Sequence, residues 1–445
     1  MFGVDVPKQM LVKAKCSVKK TTRESAASFG KVKSFFELFV ETNVGSTSSF
    51  TVNGGEFQRA FLCPQMCVDA FHHSTHVVAL DGCHMKTKFG GVLLVMTVLD
   101  GNGNIFPCAI GLAESENSDT WSWFVSLVAS ALDNDNGGGV VVLSDREKGI
   151  ERALGIFWPQ AQHAFCAFHI QKNLKKHFNT ALEGLVFAAA RATSPGDYHR
   201  VIAMMKDLDV RAGEYIASID PAKWCRAFFP ARRFGHITSN IAESTNRWLE
   251  EARHLDPVGL FTHFIRRLNG LFERRRHKYA LMPAGNLPKN VAKIFNKSLG
   301  EAERLHVERH TESRFEVQRM NDPTVFRVVD LDARTCSCGF FREHGIPCRH
   351  MCAAVLAKRE NPIHLIIPER HLSTLVETYA GFSTPVDMTR VYDDGTKPPT
   401  ETKRRGRRKE KRIPSVVEKK PKRSVRCRKC GGRGHNSRSC RAGDH

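Results

Sequence analysis

Between residues 76 and 168, short apolar runs and helical stripes alternate in a fixed order. His76-Val-Val-Ala-Leu-Asp81 is an apolar run that ends in an acid. Gly91 to Leu99 is continuous and rich in β-branched residues, Asp100-Gly-Asn-Gly103 is turn chemistry, and Asn104 to Ile110 is apolar again. These runs predict a three-strand antiparallel meander. Trp121, Phe124, Val125, Val128 and Leu132 then recur at helical spacing, with Ser118 or Asp119 able to cap the helix. Asp133 to Gly139 reads as a loop and Val140 to Asp145 as a fourth strand, again closing on an acid. Lys148 to Phe157 reads as a helix and His163 to Phe168 as a fifth strand.

That order, three strands, helix, strand, helix, strand, is the order of an RNase H-like core. The fold class expected is therefore α/β, with this core spanning 71–260. Residues 170–235 are mostly helical in pattern and read as an insertion, and Ser239 to His254 as a helix capped by Ser239 or Asn240. Residues 1–70 are mixed, with an amphipathic patch at Phe35–Val40, and are expected to be a helical lead-in. A helical connector is expected over 261–320, a cysteine-containing module over 321–360 and a second connector over 361–400. Thr324 to Val329 reads as a strand entering that module. From Asp387 to Arg426 the chain is Pro-rich and then highly charged, and reads as a linker.

The chain has 445 residues, 41% of them hydrophobic, enough for two or three domains with real cores. No apolar run reaches the ~18–20 residues of a membrane span. Met1 to Lys20 lacks the apolar stretch of a signal peptide, so a soluble intracellular protein is expected. The formal net charge is +21, but fifteen Lys/Arg against two Glu between Lys403 and Lys429 supply +13 of it. The polyanion-seeking charge therefore belongs mainly to a tail. Within it, Lys403, Arg404, Arg405, Arg407, Arg408, Lys409, Lys411 and Arg412, then Lys419, Lys420, Lys422 and Arg423, resemble a bipartite nuclear localisation signal. A nuclear location is expected, with salt-sensitive attraction to nucleic acid.

Of fourteen Cys, seven fall in two clusters that each contain a His, which is metal-ligand patterning. Cys336-Ser-Cys338, nine residues, then Cys348-Arg-His350 resembles a SWIM zinc finger. Three thiolates and one imidazole suit tetrahedral Zn²⁺ and leave no open position, so the site reads as structural. His344 and Cys352 stand nearby as spare ligands. Cys427-x2-Cys430-x4-His435-x4-Cys440, spanning 427–440, matches a CCHC zinc knuckle in every interval. So short a segment has no core, and zinc should supply its folding energy. Knuckles take single-stranded nucleic acid, often by base stacking. This one has no aromatic between its ligands, so weak, charge-led binding is expected.

Asp81 and Asp145 each end a predicted core strand. If those strands are neighbours, both carboxylates reach one cleft, and clustered carboxylates suit Mg²⁺ or Mn²⁺. Two such ions about 4 Å apart serve phosphodiester chemistry. Glu243, in Asn240-Ile-Ala-Glu243, is the candidate third acid.

Asp81-Gly-Cys-His, the Gly90-Gly91 strand, Glu114 with Trp121-Ser-Trp-Phe124, Ser144-Asp145, Cys166-Ala-Phe-His169 and Asn240-Ile-Ala-Glu243 together resemble transposases of Mutator-like elements, from about Pro7 to Val386. The resemblance implies a DDE-type catalytic domain with a helical insertion before the last acid. It implies Asp81, Asp145 and Glu243 as the three acids. It places Cys166 and His169 near the active site, where they would position DNA or support a carboxylate. DNA, as transposon ends and target, is the implied partner, with a homo-oligomer on DNA. That family often carries a zinc-containing DNA-binding domain ahead of the core. Here the chain begins almost at the core, and a truncated gene model or a copy without its terminal-repeat reader is expected. The alternative to a transposase is a non-catalytic, transposase-derived transcriptional regulator. An RNA-binding role would explain only the tail.

Overall fold

The structure is a computed structural model that describes residues 26–400 apart from 147, 179–181, 239 and 321, together with Cys430. Among the described residues, a short helical turn at Ala27–Gly30 leads into helix α1 (Val32–Thr42), which buries Phe35, Phe36 and Phe39. The expected helical lead-in then gives way to a hairpin, β1 (Thr47–Asn53) and β2 (Glu56–Cys63). Its turn is Gly54-Gly55, both with positive φ (58° and 82°), a conformation that residues with a Cβ rarely adopt. Helix α2 (Gln65–His72) follows.

The predicted meander is present as β3 (Val77–His84), β4 (Val92–Leu99) and β5 (Ile105–Ala113), all antiparallel. Helix α3 (Ser118–Ala131) is capped by Asn117, not by Ser118 or Asp119. An N-cap acceptor must precede the first helical residue, and Ser118 is already helical. The Asn117 Oδ1 accepts from the backbone of Asp119 (2.9 Å) and Thr120 (3.0 Å), while the Thr120 hydroxyl accepts from the Asn117 N–H (3.0 Å). Next come β6 (Val141–Ser144), α4 (Lys148–Phe157) and β7 (Gln162–Phe165). The fifth strand ends at Phe165, earlier than expected, because Cys166 is the N-cap position of α5 (Ala167–His177).

The seven strands form one mixed sheet in the order β1-β2-β5-β4-β3-β6-β7, with β3–β6 and β6–β7 parallel. Val77, Val78 and Ala79 pair with Val141, Val142 and Leu143. Two places further along that register, Asp81 stands level with Asp145. Side chains alternate across the sheet: Val78 and Leu80 enter one apolar core, Val77 and Ala79 another. A third apolar cluster joins α5 to α6 (Glu183–Arg191), α7 (Pro195–Leu208) and α8 (Val210–Ala217), around Ile170, Leu174, Val186, Met205 and Trp224.

Helix α9 (Asn240–Trp248) returns the chain to the sheet, followed by α10 (Pro257–Ala280) and α11 (Lys289–Ala302). The expected helical connector stops there. β8 (Leu305–Arg309) and β9 (Arg314–Arg319) pair with each other and extend a four-stranded sheet with β10 (Asp322–Asp330) and β11 (Thr335–Cys336). Phe315 and Val317 alternate into the second core, a period-two pattern that a helix would not satisfy. α12 (Phe340–His344) and α13 (Arg349–Ala357) complete this module, and α14 (Leu372–Thr378) packs back near α10.

The segment expected to be a linker from Asp387 is not detached before residue 400. The Tyr392 N–H donates to Ser34 Oγ (3.1 Å), and the Phe57 N–H donates to the Lys397 carbonyl (2.8 Å). The hairpin edge offers backbone groups that need partners, and this strap supplies them. Among the described residues, no helix is long and apolar enough to cross a membrane.

Candidate functional site

Two sites stand out. The first lies beside the end of β6, at Asp81, which does not close its strand as expected: β3 runs on to His84 because its pairing with β4 continues through Gly82, Cys83 and His84. Asp81 Oδ2 accepts a hydrogen bond from Asn246 Nδ2 at 2.6 Å. Burial pushes the Asp81 carboxyl up to about 6; the Asn246 amide opposes the rise, and the charges of Asp145 and Glu116 add to it. Two like charges near a desolvated carboxylate favour its protonated form.

Asn246 reaches Asp81 because of how α9 lies on the sheet. Ile241, Ala242 and Thr245 are its buried face. The Thr97 hydroxyl donates to Thr245 Oγ1 at 2.9 Å, which pins that face to β4. Glu243 is exposed on the first turn of α9. The side chain of this helix that the structure brings to Asp81 is Asn246, one turn after Glu243. Glu116 was also overlooked. Its Oε1 lies 2.8 Å from where a Cβ on Gly82 would stand. Glu114, part of the sequence pattern, instead makes a forked contact with Arg59 (Nε to Oε2, 2.9 Å).

Asp145 follows β6 directly, and its backbone is held by its neighbour. The Ser144 hydroxyl donates to the Asp145 carbonyl (2.7 Å) and meets His163 Nε2 at 2.7 Å. A hydroxyl has one proton, so His163 must be the donor to Ser144, which fixes its Nε2–H tautomer. Burial pushes the His163 imidazole down to about 4, so it is neutral in this role. His169, in the first turn of α5, is raised by its hydrogen bond with Cys166, burial opposes that, and the charges of Cys166, Asp145 and Asp81 add to it. The Cys166–His169 pair therefore lies within the field of both acids.

The second site is the four-residue cluster of Cys336, Cys338, Cys348 and His350. Their ligand atoms all lie within 4.8 Å of one another, and among the described residues this is the one such set of three or more. Cys336 Sγ and Cys348 Sγ are each 3.7 Å from His350 Nδ1. Zinc bond lengths place the S–N edge of a tetrahedral site at about 3.6 Å, so the donor set fits Zn²⁺ with Nδ1 as the histidine ligand. Hydrogen bonds from Cys336 and Cys348 pull the Cys338 thiol below its ordinary range, so the cluster already favours one thiolate. The β10–β11 hairpin carries Cys336, and left-handed Gly339 (φ 70°) and Gly345 (φ 64°) bracket α12. Cys348 caps α13, accepting from the Met351 N–H at 3.4 Å. Neither spare joins the set: His344 packs at a tilt against Phe340 (centroids 4.3 Å apart), and the Cys352 thiol faces the Pro347 carbonyl at 3.8 Å. The knuckle ligands Cys427, His435 and Cys440, and the basic run Lys403 to Arg423, lie outside the described residues; Cys430 is exposed.

A family model of the MULE transposase domain matches residues 77–173, and one of the SWIM zinc finger matches residues 315–359. The first match runs from β3 to α5, holding Asp81, Glu116, Asp145, Cys166 and His169. The second holds all four clustered ligands. No curated protein matches the chain.

Proposed function

We propose that this chain, which carries a MULE transposase domain and a SWIM zinc finger, is a metal-dependent DNA transposase of the Mutator-like class. Its seven-stranded sheet is read as an RNase H-like core, extended by the β1–β2 hairpin, with α6 to α8 as the helical insertion before α9. The observation that carries the reading is the parallel register of β3 and β6, which, continued two places, sets Asp81 within β3 level with Asp145 just after β6.

The donor set suits Mg²⁺ or Mn²⁺, since every candidate group is a carboxylate oxygen. Bound there, such ions would activate water for strand cleavage and later the freed 3′-OH for strand transfer. The chain's own groups hold the acids ready. Asn246 orients Asp81, and a carboxyl near 6 is largely ionised at neutral pH. The His163–Ser144 pair fixes the Asp145 backbone. Glu243 is the proposed third acid. The two zinc modules, SWIM and knuckle, and the basic tail are assigned to folding and to nucleic-acid contact in the nucleus, with the protein acting as an oligomer on DNA.

The test is cleavage of a plasmid carrying any terminal inverted repeats found to flank the gene. Asp81→Ala, Asp145→Ala and Glu243→Ala should each lower Mg²⁺-dependent cleavage by at least about a thousandfold while the circular dichroism spectrum is unchanged. Wild-type protein that neither cleaves nor joins such ends would refute the catalytic reading. One observation favours the second reading, a non-catalytic DNA-binding regulator: among the described residues, no three carboxylates gather within 4.8 Å. The same assay separates them, because a regulator binds the repeats without cutting.

A further inference from the structure

The chain between α8 and α9 does not reach the acid site unaided. It runs under the SWIM module and is fastened there at several points. The Phe234 N–H donates to the Glu343 carbonyl (3.1 Å), and the Gly235 N–H donates to Glu343 Oε1 (3.0 Å). Arg226 Nε stands 3.8 Å from Glu343 Oε2. Arg232 Nε donates to the Arg342 carbonyl (3.0 Å), and Arg342 Nη2 donates back to the Arg226 carbonyl (3.1 Å). Glu343 is only 5% exposed, and the guanidinium groups of Arg232 and Arg233 also feel its charge.

The fastened turn is conformationally demanding. Phe234 and Gly235 are both left-handed, with φ of 54° and 86°. A non-glycine residue there is held by its surroundings rather than by its own preference. Here the surroundings are α12 and Arg370, whose guanidinium lies 4.6 Å from the Phe234 ring centre. The outgoing chain is then tied to the other side of the site, since the Ala167 N–H donates to the Ile237 carbonyl (2.9 Å) one residue after Cys166. Three residues beyond Ile237, α9 begins.

From this path we propose that Glu343 of the SWIM module is a positioning residue for the acid site: it latches the 226–237 segment so that α9 delivers Asn246 to Asp81. The inference rests on the reading of Asp81 as a metal-binding acid, and gives the SWIM module a task inside the same active site. A carboxylate suits this task because it accepts from a backbone N–H with one oxygen while facing an arginine with the other. An amide keeps the first contact and loses the second.

The test compares full-length wild type, Glu343→Gln, Glu343→Ala, Arg232→Ala and Asn246→Ala, all zinc-loaded. Arg232→Ala removes the neighbouring fastening of the half-buried Arg232 to the Arg342 carbonyl without stranding a buried charge, so it remains informative if Glu343→Ala does not fold. Hydrogen exchange over 233–248 should speed up roughly tenfold in Arg232→Ala and Glu343→Ala, and less in Glu343→Gln, while Ser118–Ala131 keeps its protection. Mn²⁺ affinity, read by electron paramagnetic resonance, should fall about as far in Arg232→Ala as in Asn246→Ala. The double variant Arg232→Ala/Asn246→Ala should bind no more weakly than Asn246→Ala alone. Exchange unchanged over 233–248, exchange raised equally in Ser118–Ala131, or Mn²⁺ affinity unmoved despite a loosened segment would each overturn the proposal. If wild-type protein binds no Mn²⁺, the transposase reading falls, and exchange alone decides the latch.

Discussion

Asp81 is an acid whose native surroundings favour its proton. Its folded value of about 6 lies above the ordinary 3.8, with burial as the main cause. The native state therefore binds more protons than the unfolded chain between about pH 4 and pH 6, and stability from this group falls as pH rises through that window. A rise of that size is worth roughly 2–3 kcal/mol. Asp81→Asn should accordingly be more stable than wild type at pH 8, by about that amount, and the gap should close as pH falls to 4. Urea denaturation at both pH values checks it, and an equal gap at the two would contradict the burial argument. The acid itself was legible in the sequence, because an apolar run that stops at Asp is visible locally. Asn246 was not. Its partner lies 165 positions away, and an amide carries no metal-ligand pattern to mark it. Glu116 was missed for a related reason: in Glu114-Ser-Glu116 nothing local tells the acid facing Arg59 from the one beside Gly82.

At the scale of elements, α3 shows how a helix is both started and seated. Asn117 and Thr120 satisfy each other's backbone N–H groups, and Asn117→Ala should cost about 1 kcal/mol. The seat is Gly111 on β5. A Cβ there would stand 2.8 Å from Phe124 Cδ2 and 3.2 Å from Trp123 Cζ3. Phe124 is fully buried, so the ring cannot swing aside, and Gly111→Ala should destabilise by roughly 1–3 kcal/mol through displacement of α3. Chemical denaturation of both variants measures the two costs; a Gly111→Ala protein as stable as wild type would mean that α3 is seated elsewhere. Strands were legible here in proportion to their hydrophobic length. β3, β4 and β5 are long and nearly continuous in apolar residues. β8 and β9 are not, since Leu305-His-Val-Glu-Arg and Arg314-Phe-Glu-Val-Gln-Arg bury only one thin face. Their strand character is completed by pairing, β8 with β9 and β9 with β10, across a separation that sequence does not show.

At the scale of the molecule, the zinc finger is not a bead on the chain. Cys336 and Cys348 lie in the same apolar core as Val77, Ala79, Val141 and Leu143 of the large sheet and Ile241 of α9. Sequence spacing revealed the ligands but not this shared core, because cysteine spacing describes a module and says nothing of what the module rests on. The consequence concerns metal removal. The SWIM ligands Cys336, Cys348 and His350 are each under 10% exposed, whereas the knuckle expected at Cys427 to Cys440 has too few residues for a core of its own. Full-length protein should bind two Zn²⁺, and a chelator should strip them in two steps. The first loss, from the tail, should leave the thermal midpoint of the main unfolding transition where it was. The second should lower that midpoint as a whole, because the thiolates left behind repel one another inside a core that the sheet also uses. Calorimetry during chelation distinguishes the possibilities. A separate early transition for the finger, with the sheet's own midpoint unmoved, would show two independent bodies and break the link between zinc and the acid site.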